Sequence, residues 1–424
     1  MKTGIFFLFL TLTAILSATV TGGQSQPPAQ SLYDFDHGAV RYTTTDPTDS
    51  ISRIQSRIDS GNLELKFDPE LGYLPALLDE LHIPRSSQSL VFSKTSLQLF
   101  LIAPDNPRAI YFNDDVYIGS VQASPLLEVA SMDPKLGAVF YTLDQKKKEK
   151  PQFQREFLAC LLCHDTPITN GIPGLMTLSV LTDRGGNVIP AAGTAAMTDR
   201  TPFKERFGGW YVTGTHGNQQ HWGNLTASAT RETIGDAKAF VRRLNLAQGA
   251  NVTNLATRFD TEPYLTPNSD IAALMVMTHQ TRIHNLITST RFEMETAGDD
   301  PERIRVAVEP LVRGMFFVWE AALEEPIGGN TTFARDFAAA GPRDQKGRTL
   351  RELDLSKRLL RYPLSYLVYS DQFAGLQDAA RKQFFKRARE ILASEDPGRD
   401  FSHISLADRH AIAEILADTH PEFR

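Results

Sequence analysis

Both cysteines of this 424-residue chain lie within five consecutive residues, Cys160, Leu161, Leu162, Cys163 and His164. Two intervening residues place the thiols about one helical turn apart, on the same side of a helix. The chain has no third cysteine, so neither thiol can form a disulfide with a distant segment. The fold must therefore present two thiols and one imidazole together.

The pattern C-x-x-C-H is the attachment motif of c-type haem. The thiols form thioethers with the vinyl groups of the porphyrin, and the histidine is the proximal ligand of the iron. We therefore predict one covalently attached haem c per chain, bound through Cys160, Cys163 and His164.

The chain between about residues 150 and 230 resembles the c-type cytochromes. Nine to eleven residues after His164 it carries Pro173, Gly174 and Leu175, similar to the Gly/Pro-x-Leu segment of that family. The resemblance implies that the carbonyl of Pro173 accepts the second N–H of the proximal histidine and that Leu175 packs on the porphyrin. The chain is also similar to large secreted bacterial proteins with a single haem.

A sixth iron ligand from the protein must come from elsewhere in the chain. Small c-type cytochromes place a methionine at a position that would fall near residue 224, where this chain has none. His216, in the segment Gly214-Thr215-His216-Gly217, is close to that position, and its glycines would let a flat cofactor approach. We predict His216 as the distal ligand, with His221, Met197 or no protein ligand as alternatives.

The N-terminus has the features of a secretory signal peptide. Lys2 precedes an apolar run from Ile5 to Leu16, and the small residues Ser17 and Ala18 follow. We predict a signal over residues 1–22 and a periplasmic or extracellular bacterial protein, with an uncleaved anchor as the alternative. In an oxidising compartment the two thiols would need a partner such as haem.

The remaining pattern predicts an α+β fold without a membrane span in the mature chain. We divide it into a flexible leader (23–48), a β-rich domain (49–148), an α-helical, cytochrome c-like haem-binding segment (149–230) and a mainly helical domain (231–424). Short apolar runs between residues 89 and 143, including 97–102, indicate an antiparallel sheet or small barrel. Residues 152–162 are predicted to form the helix that delivers the cysteines.

Helix-start signals appear at three further places. Asp49 precedes an amphipathic pattern that extends to residue 60, Asp270 precedes one that extends to about residue 295, and Asp300 is followed by proline. The second pattern contains His279, whose neighbours favour a core histidine, although a distal catalytic base is the alternative.

Three functions are compatible with these features. The leading hypothesis is a monohaem cytochrome that transfers single electrons to an unidentified redox partner protein. The second is a haem enzyme, peroxidase-like or oxidising a small molecule, with an open iron and His279 as base. The third is a thiol–disulfide oxidoreductase, which the helical pattern predicted before Cys160 argues against.

Charge adds little to this choice. A formal net charge of −6 gives no basis for nucleic-acid binding. Lys146, Lys147, Lys148 and Lys150 precede the motif and could steer an acidic redox partner, or could simply form a solvated loop.

Overall fold

The computed structural model describes residues 35–36, 38–228, 241 and 243–423. The predicted signal (1–22) and half of the predicted leader (23–48) lie outside these residues. Phe35–Arg424 forms one unit, which contains both helices and an antiparallel sheet, so the predicted α+β class is confirmed.

Six strands form an antiparallel meander in which each strand pairs with the next along the chain. They are β1 (Ser89–Val91), β2 (Arg108–Phe112), β3 (Val116–Ser120), β4 (Leu126–Asp133), β5 (Gly137–Asp144) and β6 (Phe153–Glu156). A separate pair follows, β7 (Leu178–Val180) and β8 (Thr194–Ala196). Of the two architectures expected for this region, the open sheet is the one observed.

Nine α-helices lie in the described part of the chain. They are α1 (Ser50–Asp59), α2 (Leu74–Glu80), α3 (Leu158–His164), α4 (Ile271–Ala297), α5 (Pro301–Met315), α6 (Phe333–Ala339), α7 (Asp371–Ala374), α8 (Asp378–Ala393) and α9 (Leu406–Thr419). The predicted caps are confirmed: the side chains of Asp49, Asp270 and Asp300 accept hydrogen bonds from the first-turn N–H groups of α1, α4 and α5.

Helices cover both faces of the sheet. In an antiparallel pair, directly opposed residues project from the same face. On one face, the hydroxyl of Tyr141 (β5) donates to Asp49, which caps α1, at 2.6 Å. On the other face, the amide of Gln280 (α4) donates to the hydroxyl of Tyr117 (β3), also at 2.6 Å. The long helix α4 is buried along most of its length and forms the centre of the second layer.

The prediction of a strand over residues 97–102 was wrong. These residues form turns between β1 and β2, in which Gln98 is buried and accepts a hydrogen bond from Ser124. The neighbouring Leu97 and Phe100 point outward. With no neighbouring strand to pair with, the apolar run cannot satisfy its backbone as a strand.

The prediction of one helix over residues 152–162 was also wrong. Its first part is the strand β6, which pairs with β5 in the register Phe140↔Glu156 to Leu143↔Phe153. The chain turns at Phe157, and α3 begins at Leu158. The cysteines are thus carried by a short helix that directly follows an edge strand.

No helix in the described ranges combines the length and apolarity needed to cross a bilayer.

Candidate haem-attachment site

Helix α3 carries all three residues of the motif. Leu161 is fully buried and anchors the helix, while Cys160 is partly buried and Cys163 is exposed. Both cysteines are free thiols. The helix therefore exposes Cys163, while Cys160 and His164 lie partly buried.

The ring of His164 is held in one orientation. Its Nδ1 lies 2.9 Å from the carbonyl oxygen of Gly174, and the N–H of Gly174 donates back to the carbonyl of His164 at 2.9 Å. The ring packs on Phe140 (β5) with centroids 4.6 Å apart. Burial lowers the pKa of His164, which favours the neutral ring with its proton on Nδ1. No described residue forms a hydrogen bond with Nε2, which is the atom available to a metal.

The carbonyl that accepts from His164 differs from the one expected. The carbonyl of Pro173 instead accepts from the N–H of Ala138 at 3.2 Å, and Gly174 takes the expected role. The expectation for the Pro173 carbonyl was therefore off by one residue. The reason is that the Pro173 carbonyl is already hydrogen-bonded to Ala138 of β5, which holds this segment against the sheet.

Helix α4 fixes the segment that supports His164. The side-chain amide of Asn285 accepts from the N–H of Leu175 at 2.8 Å and donates to its carbonyl at 2.7 Å. A Cβ on Gly174 would lie 2.5 Å from Oδ1 of Asn285, so this close approach requires glycine. Leu175 is buried in the core, and its contact with a porphyrin stays a prediction.

An ion pair lies next to the motif on the same face of the sheet. Arg108 (β2) and Glu128 (β4) meet at 3.1 Å across β3. They can do so because β3 has glycine between them, where a Cβ on Gly119 would lie 2.5 Å from Nε of Arg108. Nε of Arg108 and Oε1 of Glu128 are buried and have no hydrogen-bond partner among the described residues.

This pair acts on the motif electrostatically. Burial raises the pKa of the Cys160 thiol to about 12, and the nearby carboxylates of Glu128 and Glu156 contribute to the rise while Arg108 opposes it. A redox-active cysteine of the thiol–disulfide class needs a lowered pKa. The environment of Cys160 therefore argues against the thiol–disulfide hypothesis.

The residues before Cys160 form a strand rather than the predicted helix. The motif therefore does follow a strand–helix junction, as in thiol–disulfide oxidoreductases. The predicted helix before Cys160, which argued against that class, is absent, so that argument no longer holds. The strand, however, belongs to an antiparallel meander, and the βαβ unit of that enzyme class requires parallel strands.

The surface around the motif is unusually apolar. Three large apolar side chains there are about half exposed: Leu158 (50%), Leu162 (45%) and Ile168 (47%). Leu158 and Leu162 are neighbours one turn apart on α3, and exposed apolar side chains that lie together indicate a binding site. A porphyrin joined to Cys160 and Cys163 would have apolar side chains beside it.

The three residues proposed as distal ligands lie together. The rings of His216 and His221 are 4.7 Å apart, and both pack against Phe203. The sulfur of Met197 accepts from the N–H of Phe207, whose ring also contacts His221. Sequence spacing placed these residues near one another along the chain, and the fold gathers them into one buried cluster.

One ring nitrogen of each histidine in this cluster accepts a hydrogen bond, whereas Nδ1 of His216 and Nε2 of His221 are buried and have no partner among the described residues. Nε2 of His216 accepts from the N–H of Asn251 at 2.9 Å, and Nδ1 of His221 accepts from the N–H of Gly223 at 3.0 Å. Gly214, two residues before His216, packs on Ile271 at the start of α4.

The segment that holds His164 lies much further along that helix. It packs on Asn285, fourteen residues beyond Ile271, a rise of about 21 Å. These contacts place Gly214 and Leu175 at different parts of α4, and His216 as the distal ligand stays a prediction.

His279 forms a different buried group. Its Nε2 lies 2.9 Å from Oγ of Ser365, its Nδ1 lies 3.4 Å from Asp199, and its ring stacks on Phe317 at 4.1 Å. Both ring nitrogens have partners and the side chain is fully buried, so the distal-base hypothesis is not supported. The core-histidine interpretation agrees with this geometry.

The lysines before the motif are partly engaged within the chain. Lys148 pairs with Asp144 at 3.0 Å, and Lys150 donates to the carbonyl of Asp59 at 2.8 Å. Steering of an acidic partner by this segment stays a prediction.

The comparisons with models of known protein families, with curated proteins and with solved structures give no match to this chain.

Proposed function

We propose that this protein is a c-type haem protein that binds one haem through Cys160, Cys163 and His164 and transfers single electrons. The observation that carries the proposal is the state of His164. Its Nδ1 is hydrogen-bonded to the Gly174 carbonyl and its Nε2 has no partner among the described residues, next to the free thiol of Cys163 and one helical turn from that of Cys160. A carbonyl acceptor of this kind orients a ligating histidine and raises its basicity.

The residues around the motif fit the group. The exposed side chains of Leu158, Leu162 and Ile168 supply an apolar surface for the porphyrin. Arg108 has a buried N–H without a partner among the described residues and can pair with a carboxylate of the porphyrin's propionate side chains. When bound, haem supplies an iron that changes oxidation state by one electron.

Export is part of the proposal. It is supported by the apolar run near the N-terminus and by the two thiols that covalent attachment would use.

A haem enzyme is the second candidate, and one observation favours it. Met197, His216 and His221 form one buried cluster in which each accepts a hydrogen bond from a backbone N–H, and this favours an iron whose position opposite His164 is open. An iron with one open position can bind a small molecule.

The absorption spectrum of the purified haem protein distinguishes the two candidates. An electron carrier with six ligands is expected to be low-spin in both oxidation states and unreactive toward carbon monoxide. A high-spin iron that binds carbon monoxide or cyanide, together with turnover of peroxide, would identify the enzyme instead. A purified chain that carries no haem, although it was produced with haem-attachment machinery, would contradict both.

A further inference from the structure

A cavity of about 510 Å³ lies where three segments meet: the chain just before α1, the turn between β4 and β5, and the last turns of α4. Small-molecule sites typically enclose about 300–1,000 Å³. None of the residues that line the cavity belongs to the C-x-x-C-H motif, to the cluster around His216 or to the group around His279. The cavity is therefore a candidate site separate from those described above.

The charged groups that line the cavity are mostly cationic. Three are basic, Arg41, Lys135 and Arg291, and one is acidic, Glu295. Arg291 pairs with Glu295 at 3.6 Å. Arg41 donates to backbone carbonyls, that of Gly38 at 2.6 Å among them, and neither it nor the ammonium of Lys135 pairs with a carboxylate of the described chain. Three cations against one carboxylate leave an excess of two positive charges at the cavity.

Hydrogen bonds fix the walls of the cavity relative to one another. Oδ1 of Asp133, the last residue of β4, accepts from the N–H groups of Lys135 at 2.7 Å and Leu136 at 3.0 Å. Its Oδ2 accepts from the N–H of Thr48, in the chain before α1, at 2.5 Å. Nε of Arg291 on α4 donates to the carbonyl of Lys135 at 3.1 Å. The three segments are thus joined, and a cavity formed before its ligand arrives loses little conformational entropy on binding.

We propose that this cavity binds a small organic anion that has a carboxylate or phosphate headgroup and an apolar body. The headgroup pairs with Arg41 and Lys135. The apolar body packs against Leu136, which is 2% exposed, and against the partly buried ring of Phe292. An apolar wall with a few polar groups that fix orientation is the usual composition of a ligand site. The whole chain has a net charge of −6, so the cavity attracts anions that much of the remaining surface repels.

Isothermal titration calorimetry of the full chain with three probes that share a phenyl group tests the proposal. The probes are 4-phenylbutyrate, phenyl phosphate and the cation 4-phenylbutylamine. At least one of the two anions should bind, one molecule per chain, and its binding should weaken as sodium chloride is added, because salt screens the charges. The tighter of the two anions identifies the headgroup. The amine should not bind, because its charge has the same sign as that of the cavity.

Charge variants at the cavity should change the affinity in opposite directions. A unit charge a few ångströms from the ligand in water changes the affinity about threefold, and a reversal of charge changes it about tenfold. Lys135→Glu should therefore raise the Kd of the anion about tenfold, whereas Glu295→Gln should lower it about threefold. Both positions are exposed, so the fold should tolerate the changes. Lys386→Glu, at an exposed position of α8 outside the cavity, is the matched control and should bind like the wild type.

A variant that fills the cavity separates binding there from binding elsewhere. Thr296→Trp places a large side chain at an exposed position of the lining and should abolish binding of the anion, while the urea midpoint of unfolding stays near that of the wild type. Three results would overturn the proposal: no binding of either anion, equal binding of the amine and the anions, or an unchanged Kd in either Lys135→Glu or Thr296→Trp. The haem proposal is tested separately, since none of these results depends on whether the chain carries haem.

Discussion

At the scale of single residues, the two cysteines of the motif differ in environment. Cys163 is exposed, whereas Cys160 is partly buried beside Glu128 and Glu156, and burial raises its pKa to about 12. Thiolate is the reactive form, so Cys160 has almost none of it near neutral pH. We expect iodoacetamide to modify Cys163 of the haem-free chain much faster than Cys160 at pH 7, as measured by peptide mass spectrometry. Rapid modification of Cys160 at that pH would instead favour the thiol–disulfide hypothesis.

The same scale shows what the sequence could predict about the site. Cys160, Cys163 and His164 can be predicted from the sequence as one site, because residues within about one helical turn lie close together in space. The hydrogen-bond acceptor of His164 is Gly174 rather than Pro173, which depends on β5 binding the Pro173 carbonyl. That contact joins segments far apart in sequence, so no local pattern encodes it.

At the scale of elements, the contacts at the junction between β6 and α3 fix the position of the motif helix. The guanidinium of Arg155 (β6) donates to the carbonyls of Tyr42 and Thr45, and it lies 4.7 Å from the ring centre of Tyr42 and 4.8 Å from that of Phe157. Phe157 is the residue at which the strand turns into α3. Arg155 therefore ties the start of the motif helix to the segment before α1.

Loss of this side chain should destabilise the fold and misplace α3. We expect Arg155→Ala to lower the free energy of unfolding by about 1.5–3 kcal/mol, since hydrogen bonds from a charged donor and the cation–π contacts are lost. Urea denaturation measures the change. Arg155→Lys should recover only part of it, because an ammonium lacks the planar fork. Gln154→Ala, on the same strand but exposed, is the control, and an equal loss in that variant would refute the assignment to Arg155.

Elements also show where sequence patterns fail. The caps at Asp49, Asp270 and Asp300 were predictable because each acts on its own first turn. Residues 153–156 were predicted as helix, yet pairing with β5 makes them a strand. Residues 97–102 looked like a strand, yet they have no strand partner and form turns. In both cases the outcome depends on a neighbouring strand, which the local pattern does not contain.

At the scale of the whole molecule, buried charges make stability depend on pH. Burial raises the pKa of Glu320 to about 8, and the carboxylate of Asp199 adds to this effect. The folded protein therefore holds a proton on Glu320 that the unfolded chain releases near its ordinary pKa of 4.5. This contribution to stability is complete below about pH 4.5 and is lost as the pH rises toward 8.

Replacement of Glu320 removes that dependence. The amide introduced by Glu320→Gln stays neutral and can still accept the hydrogen bond from the N–H of Leu359, which is 2.8 Å long in the wild type. We expect the variant to become more stable relative to the wild type as the pH rises from 5 to 8, measured by urea denaturation at each pH. Glu324→Gln, at an exposed position nearby, is the control. A constant difference between variant and wild type over this range would contradict the pKa assignment.

The whole fold also determines which predicted site residues meet. Met197, His216 and His221 gather in one cluster, and Gly214 near His216 contacts α4 fourteen residues before Asn285, which holds the segment that supports His164. Spacing along the chain could nominate these residues, but it could not reveal which of them share a site with His164. The haem proposal therefore depends on helix α3 and on the hydrogen bond between His164 and the Gly174 carbonyl. Which residue would be the iron ligand opposite His164 depends on tertiary contacts.

The most direct test of the haem proposal is the intact mass of the denatured chain after production with haem-attachment machinery. We predict the mass of the polypeptide plus one haem, retained under denaturing conditions, with the added mass located on the peptide that contains Cys160 and Cys163. Replacing both cysteines with serine should abolish the added mass. An unmodified wild-type chain, or one whose two cysteines are joined as a disulfide, would contradict the proposal.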